Sequence, residues 1–254
     1  MFSIAITVGF ILMSYLANFF SKEWVRLAYG IFGSIAAFLV TLLFLKAARE
    51  NLAGIGLKPG RRTLKNFFAG ALAGLLIMGT LAGTVMYFSG IRISINKNFT
   101  IWLFLLLTLQ IFSLALMEEV GFRGYSLVLL KGKTGVRQSI FITSILFALY
   151  HIANGWSIAS SFYGPAVWGL IFGIAAVYSK GLAAPTGLHF AVNLTTSAFG
   201  ETGNKVTIWI VQQPDAVLSK PEGINWETIL PSGFLLLFAI FCIEWYMRRM
   251  KIGS

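Results

Sequence analysis

The chain has 254 residues, 57% of them hydrophobic and only 11% charged, with a formal net charge of +11. A soluble domain carries roughly 25% charged residues, so the composition excludes an ordinary soluble enzyme and predicts one polytopic membrane domain over residues 1–254. The positive charge lies between apolar runs and lacks the folded context of a nucleic-acid surface. No nucleic-acid partner is expected, and the basic residues are assigned to membrane orientation and contact with membrane lipid.

About 20 apolar residues cross a bilayer as a helix. By that measure the predicted spans are residues 2–20, 27–45, 66–88, 100–130, 138–153, 162–179, 183–199 and 231–247. The expected fold is therefore all-α, a polytopic transmembrane bundle of about eight helices. The first run has no Lys or Arg before it and no small-residue cleavage site, so it reads as a retained helix rather than a signal peptide. The fourth is long enough to tilt or protrude. The fifth to seventh are short or interrupted by Gly. Thirteen Lys and Arg fall in the connections at 46–65, 131–137 and 180 and in the tail at 248–251, against six in the remaining connections. The positive-inside rule then puts both termini in the cytoplasm, and a lipid-rich, net-basic chain of this kind reads as a bacterial cytoplasmic-membrane protein. The longest polar connection, residues 200–229, is expected outside, as a surface loop with an interfacial patch; a lid over a site is the alternative. Cys242 is the single cysteine, which excludes an intramolecular disulfide and a multi-cysteine metal site.

Ionisable groups at membrane depth are costly and mark function where they persist. The chain has two histidines, His151 and His189, in separate apolar runs, and a third run carries Glu118 and Glu119. On a helix Glu119 and Arg123 lie about 40° apart around the axis, and Glu118 and Arg123 about 140°. Glu119 is thus expected to pair with Arg123, which makes its burial tolerable, and Glu118 is left as a general base on water. Phe147 shares a face with His151, and His189 shares one with Asn193. The histidines suit orienting water, stabilising an oxyanion or binding a metal, and Asn193 suits donating to an oxyanion. Counted from the basic connections, Glu118 and His151 lie about 20 Å deep and His189 about 10–13 Å, at ~1.5 Å per residue. The pattern predicts a buried polar cavity; a proton or ion pathway at the midplane is the competing chemistry.

The runs Glu118-Glu119…Arg123, Phe147…His151 and His189…Asn193 resemble, in order and spacing, the EExxxR, FxxxH and HxxxN signatures of the CPBP family of intramembrane endopeptidases (CAAX proteases and bacteriocin-processing enzymes, also called Abi). The resemblance covers residues 114–196. It implies an eight-helix bundle with a cavity opening to the cytoplasmic side, and hydrolysis of a peptide bond near the C-terminus of a lipidated or membrane-embedded substrate, or bacteriocin maturation and self-immunity. It implies that Glu118 activates water with help from His151, that His189 and Asn193 stabilise the oxyanion, and that Glu119, Arg123 and Phe147 support the site. The family is described both as glutamate-dependent and as metalloprotease. There is no HExxH for zinc, but His151, His189 and Glu118 are a possible ligand set for Zn2+ or another divalent metal. A non-catalytic immunity or scaffold protein, and a proton-coupled transporter, are the alternatives.

Overall fold

A computed structural model of the chain describes residues 1–22, 24–200, 205–212 and 226–252. In chain order the elements are α1 (Phe2–Ala17), α2 (Val25–Ala48), α3 (Thr63–Ser89), β1 (Arg92–Ile95), α4 (Ile101–Arg123), α5 (Tyr125–Thr134) and α6 (Val136–Ala153). Then follow α7 (Ile158–Ser161), a π-helical turn (Phe162–Ala166), α8 (Val167–Ser179), α9 (Ala183–Ala198), β2 (Phe199–Gly200), β3 (Trp209–Gln212) and α10 (Trp226–Ile252). Every apolar run predicted to span is helical. Among the described residues, six helical stretches are long and apolar enough to cross a membrane: Val25–Ala48, Thr63–Ser89, Ile101–Thr134, Val136–Ala153, Ile158–Ser179 and Leu230–Met250. The helices Phe2–Ala17 and Ala183–Ala198 are shorter, with 16 residues each. Large apolar side chains such as Leu64, Phe68, Leu72 and Leu237 are exposed. An apolar exterior is what a lipid solvent demands and water would not tolerate.

The fourth run is not one rod. Gly124 (φ −70°, ψ −115°) breaks it into α4 and α5. Its amide donates to the carbonyl of Glu119 at 3.1 Å, one residue further back than an α-helical bond, and the Ser126 hydroxyl donates to the Gly121 carbonyl at 2.9 Å. The turn carrying both glutamates is thus closed by its own backbone. A Cβ on Gly124 would meet the Val120 carbonyl oxygen at 2.5 Å, so only glycine ends the helix this way.

Two helix pairs pack backbone against backbone. On α2, a Cβ built on Gly30 or Gly33 would collide with Ser113 or Met117 of α4. Between α3 and α9, one on Gly70 would strike the Ala184 carbonyl, and one on Gly187 the Phe67 carbonyl. Between lipid-solvated helices, packing of small residues replaces the hydrophobic drive of water. Here it fixes α4 and α9, which carry the glutamates and His189.

The small sheet is a departure from the all-helical expectation. Its order is β1-β3-β2, with β1 antiparallel to β3 (Arg92 opposite Gln212, Ile95 opposite Trp209) and β2 parallel to β3 (Phe199 opposite Trp209). The Asn96 side-chain amide donates to the Thr207 carbonyl at 2.8 Å, and the Thr100 amide to the Lys205 carbonyl at 2.9 Å. These bonds tie the start of α4 to the end of α9. Four-residue strands are too short to show their period in sequence, and their partners lie far along the chain. Residues 200–229 are expected as a loop; their described part supplies the end of β2, β3 and the start of α10, and residues 201–204 and 213–225 lie outside the described residues.

Gly187→Val is expected to destabilise the fold by about 1–3 kcal/mol and to displace His189, two residues on. Gly60→Val, at a position where an added Cβ meets nothing within 4 Å, is the control expected to melt like the parent. Thermal unfolding in detergent checks both; equal midpoints would contradict the close approach of α3 and α9.

Candidate active site

The last turn of α4 places Glu118 and Glu119 on neighbouring faces. Glu119 is fully buried, and its Oε1 lies 3.2 Å from Nη1 of Arg123, also fully buried. The i,i+4 pair expected from spacing forms. The same Oε1 accepts from Nδ1 of His189 at 2.9 Å. That contact is not legible in the sequence, since 70 residues separate the two. It fixes the imidazole so that Nε2 points at Glu118, 3.5 Å from its Oε2. His189 therefore bridges the two glutamates. The Phe172 ring stacks on the other side of it at 4.4 Å and 18°.

Arg123 is held on several sides. Its Nη2 donates to the Gly169 carbonyl at 3.3 Å, and its guanidinium lies over Phe147 at 4.3 Å and Phe172 at 5.3 Å. Such cation–π contacts favour a desolvated guanidinium. Gly169 admits it because there is no room for more: a Cβ there would lie 3.1 Å from Nη2. Phe147 thereby has a definite structural task beneath Arg123.

His151 lines the same cavity as Glu118 and His189. Its Nδ1 lies 2.9 Å from the carbonyl oxygen of Phe147. A carbonyl only accepts, so Nδ1 carries the proton and Nε2 is the free acceptor. Phe147 and Trp156 meet the ring edge-on at 4.6 and 5.1 Å. Asn193, one turn beyond His189 on α9, lines the cavity as well. The cavity holds about 580 Å³ and also touches Tyr29, Tyr150, Trp168 and Val192. It thus brings Glu118, His151, His189 and Asn193 to one space, with Glu119 and Arg123 packed behind it.

The expected difference in depth between Glu118 and His189 is corrected. Because α4 ends at Arg123, Glu118 lies five residues from the helix end and His189 six from the start of α9. The count of about 20 Å assumes one straight helix through Gly124. Sequence reasoning also missed Tyr29 and Tyr150, whose hydroxyls share a hydrogen bond of 2.8 Å across α2 and α6 at the cavity wall. Tyr150 stands beside His151 in the second motif, but nothing near Tyr29 marks it.

Among the described residues no group of three or more His, Cys, Asp or Glu is preassembled to hold an ion. Nδ1 of His189 is held by Glu119, as the outer nitrogen of a ligating histidine commonly is, which leaves its Nε2 beside Glu118 as the nitrogen a metal would use.

The cavity lies within a polytopic helical bundle, is walled by aromatic rings and carries a carboxylate beside an oriented imidazole, groups that can take up and pass on a proton. Residues 100–195 match the family model of Rce1-like type II CAAX prenyl endopeptidases. That match spans α4 to α9, the helices that carry all three motifs, and supports a likeness to the CPBP/CAAX membrane proteases over that part of the chain. No curated protein matches the chain.

Glu119→Gln leaves the buried Arg123 without a counter-charge and is expected to cost about 3–5 kcal/mol. Arg137→Gln removes an exposed ion pair to Glu244 and is expected to leave the melting midpoint nearly unchanged. Melting midpoints in detergent check the contrast; an unchanged midpoint for Glu119→Gln would contradict the buried pairing.

Proposed function

We propose that the protein is an intramembrane endopeptidase in which Glu118 is the general base. The observation that carries this is the pairing of Glu118 with an imidazole whose far nitrogen is held by a buried carboxylate, at the inner end of an apolar cavity. Glu118 removes a proton from water, and the resulting hydroxide adds to the carbonyl carbon of the scissile bond. The tetrahedral oxyanion is met by the Nε2 proton of His189 and by the Asn193 carboxamide. Glu119 holds the His189 ring in place by accepting from Nδ1, as a second carboxylate does in triads. The intermediate then expels the amine, which takes its proton from Glu118. His151, with Nε2 as acceptor, orients the water.

This mechanism uses no metal. Its support is the contact of His189 with both glutamates, which puts a carboxylate and an oriented imidazole side by side from the chain's own residues. The substrate class follows from the walls: Trp156, Trp168, Phe172 and Val192 suit an apolar peptide or a lipid-modified one. Prenylated CAAX-type processing and maturation of a peptide are both compatible with such walls.

Glu118→Gln keeps the shape and removes the base. Cleavage of a membrane substrate is expected to fall at least about 10³-fold with an unchanged melting midpoint, near the loss seen when a catalytic group is deleted. New peptide termini found in membranes with wild type and missing with Glu118→Gln give the readout and the substrate together. Identical termini in both would sink the mechanism. A divalent-metal chelator is expected to leave turnover intact; its abolition, restored by added zinc, would establish a metal step instead.

A further inference from the structure

The cavity wall runs from the site toward one end of the bundle. From the Glu118–His189 pair its wall continues along α9 through Asn193 to Ser197, along α4 from Glu118 back to Ile111, and along α2 to Arg26. On α6 and the link after it, the wall runs from Phe147 to Trp156. Each path leads to the same end of the bundle: the start of α2, the start of α4, the end of α6 and the end of α9. Asn154 and Trp156 are exposed there.

The opposite end is closed. Below the glutamates, Met117, Phe122 and Arg123 are at most 1% exposed. Beyond them Phe2, Phe44 and Tyr125 pack ring to ring, with centroids 4.9–5.8 Å apart. This closed end is also the basic one. The connections and tail there carry thirteen Lys and Arg, against six at the mouth, of which Lys220 lies outside the described residues. Helix order links the two facts without any assumption about the bilayer: the chain enters α3, α6 and α9 at the basic end and leaves them at the mouth.

Two expectations therefore conflict. Both termini lie at the basic end, and the positive-inside rule puts that end in the cytoplasm. A cavity opening to the cytoplasm would need the reverse. The charge difference is large and falls in short connections, where the rule has most force.

We infer that the site is served from the side of the membrane away from the cytoplasm. Its substrate is then a membrane-anchored or lipid-modified peptide whose scissile bond is exposed on that side, as in an exported peptide, rather than the cytoplasmic tail of a prenylated protein. The substrate class rests on the hydrolytic reading above; the orientation does not.

The test is single-cysteine labelling in a Cys242→Ser background. Ala159→Cys is exposed on α7 at the rim of the mouth, outside the cavity wall, and Gly60→Cys stands in open space at the basic end. A membrane-impermeant maleimide is applied to intact cells (spheroplasts where an outer membrane is present), and labelling is divided by that obtained after detergent. The expected result is a ratio at least fivefold higher for Ala159→Cys than for Gly60→Cys. An equal or reversed ratio overturns the inference. Repeating the labelling in the Glu118→Gln background reads orientation without turnover, so a failed orientation and a failed mechanism are told apart.

Discussion

Everything in the site hangs on one buried carboxylate oxygen. Oε1 of Glu119 accepts from Arg123 at 3.2 Å and from His189 at 2.9 Å, joining α4 to α9 through a charge network inside an apolar bundle. Burying a carboxylate without compensation is prohibitive. The compensation here is incomplete, because Glu119 Oε2 and Arg123 Nε have no hydrogen-bond partner among the described residues.

The helices around that network are arranged to let charged groups meet with little space between them. Gly169 lets the guanidinium of Arg123 reach a backbone carbonyl, and Gly187 lets α9 approach α3 until the carbonyl of Phe67 excludes any side chain. Phe147 and Phe172 do double duty: each lies under Arg123, and each also contacts His189, at 6.0 and 4.4 Å. The aromatic rings exclude water from the pair behind while leaving the Glu118 side free to face the cavity. Low local dielectric strengthens each of these contacts and raises the cost of any mismatch.

Much of this was legible in the chain. The helices follow from apolar runs of spanning length, because a bilayer accepts few other structures. The Glu119–Arg123 pair follows from i,i+4 spacing, since both residues lie on one helix. Three short motifs, each weak alone, pointed to one site because ionisable groups are so rare in such segments. What stayed hidden has a common cause. The Glu119–His189 contact, the Tyr29–Tyr150 hydrogen bond and the β1–β3 pairing all join residues more than 60 positions apart. The break at Gly124 was hidden for a local reason, as glycine also occurs within unbroken helices of this chain, such as α3.

The sequence by itself determined that the protein lives in a membrane, which segments are helical, and where its few intramembrane ionisable side chains stand. These depend on hydropathy and on local periodicity, and both are properties of the chain alone. Only the tertiary structure decided that His189 bridges the two glutamates and that the cavity opens away from the basic end. Those depend on how α4, α6, α8 and α9 cross, and the crossing is set by close backbone approach at a handful of glycines, which no periodicity encodes.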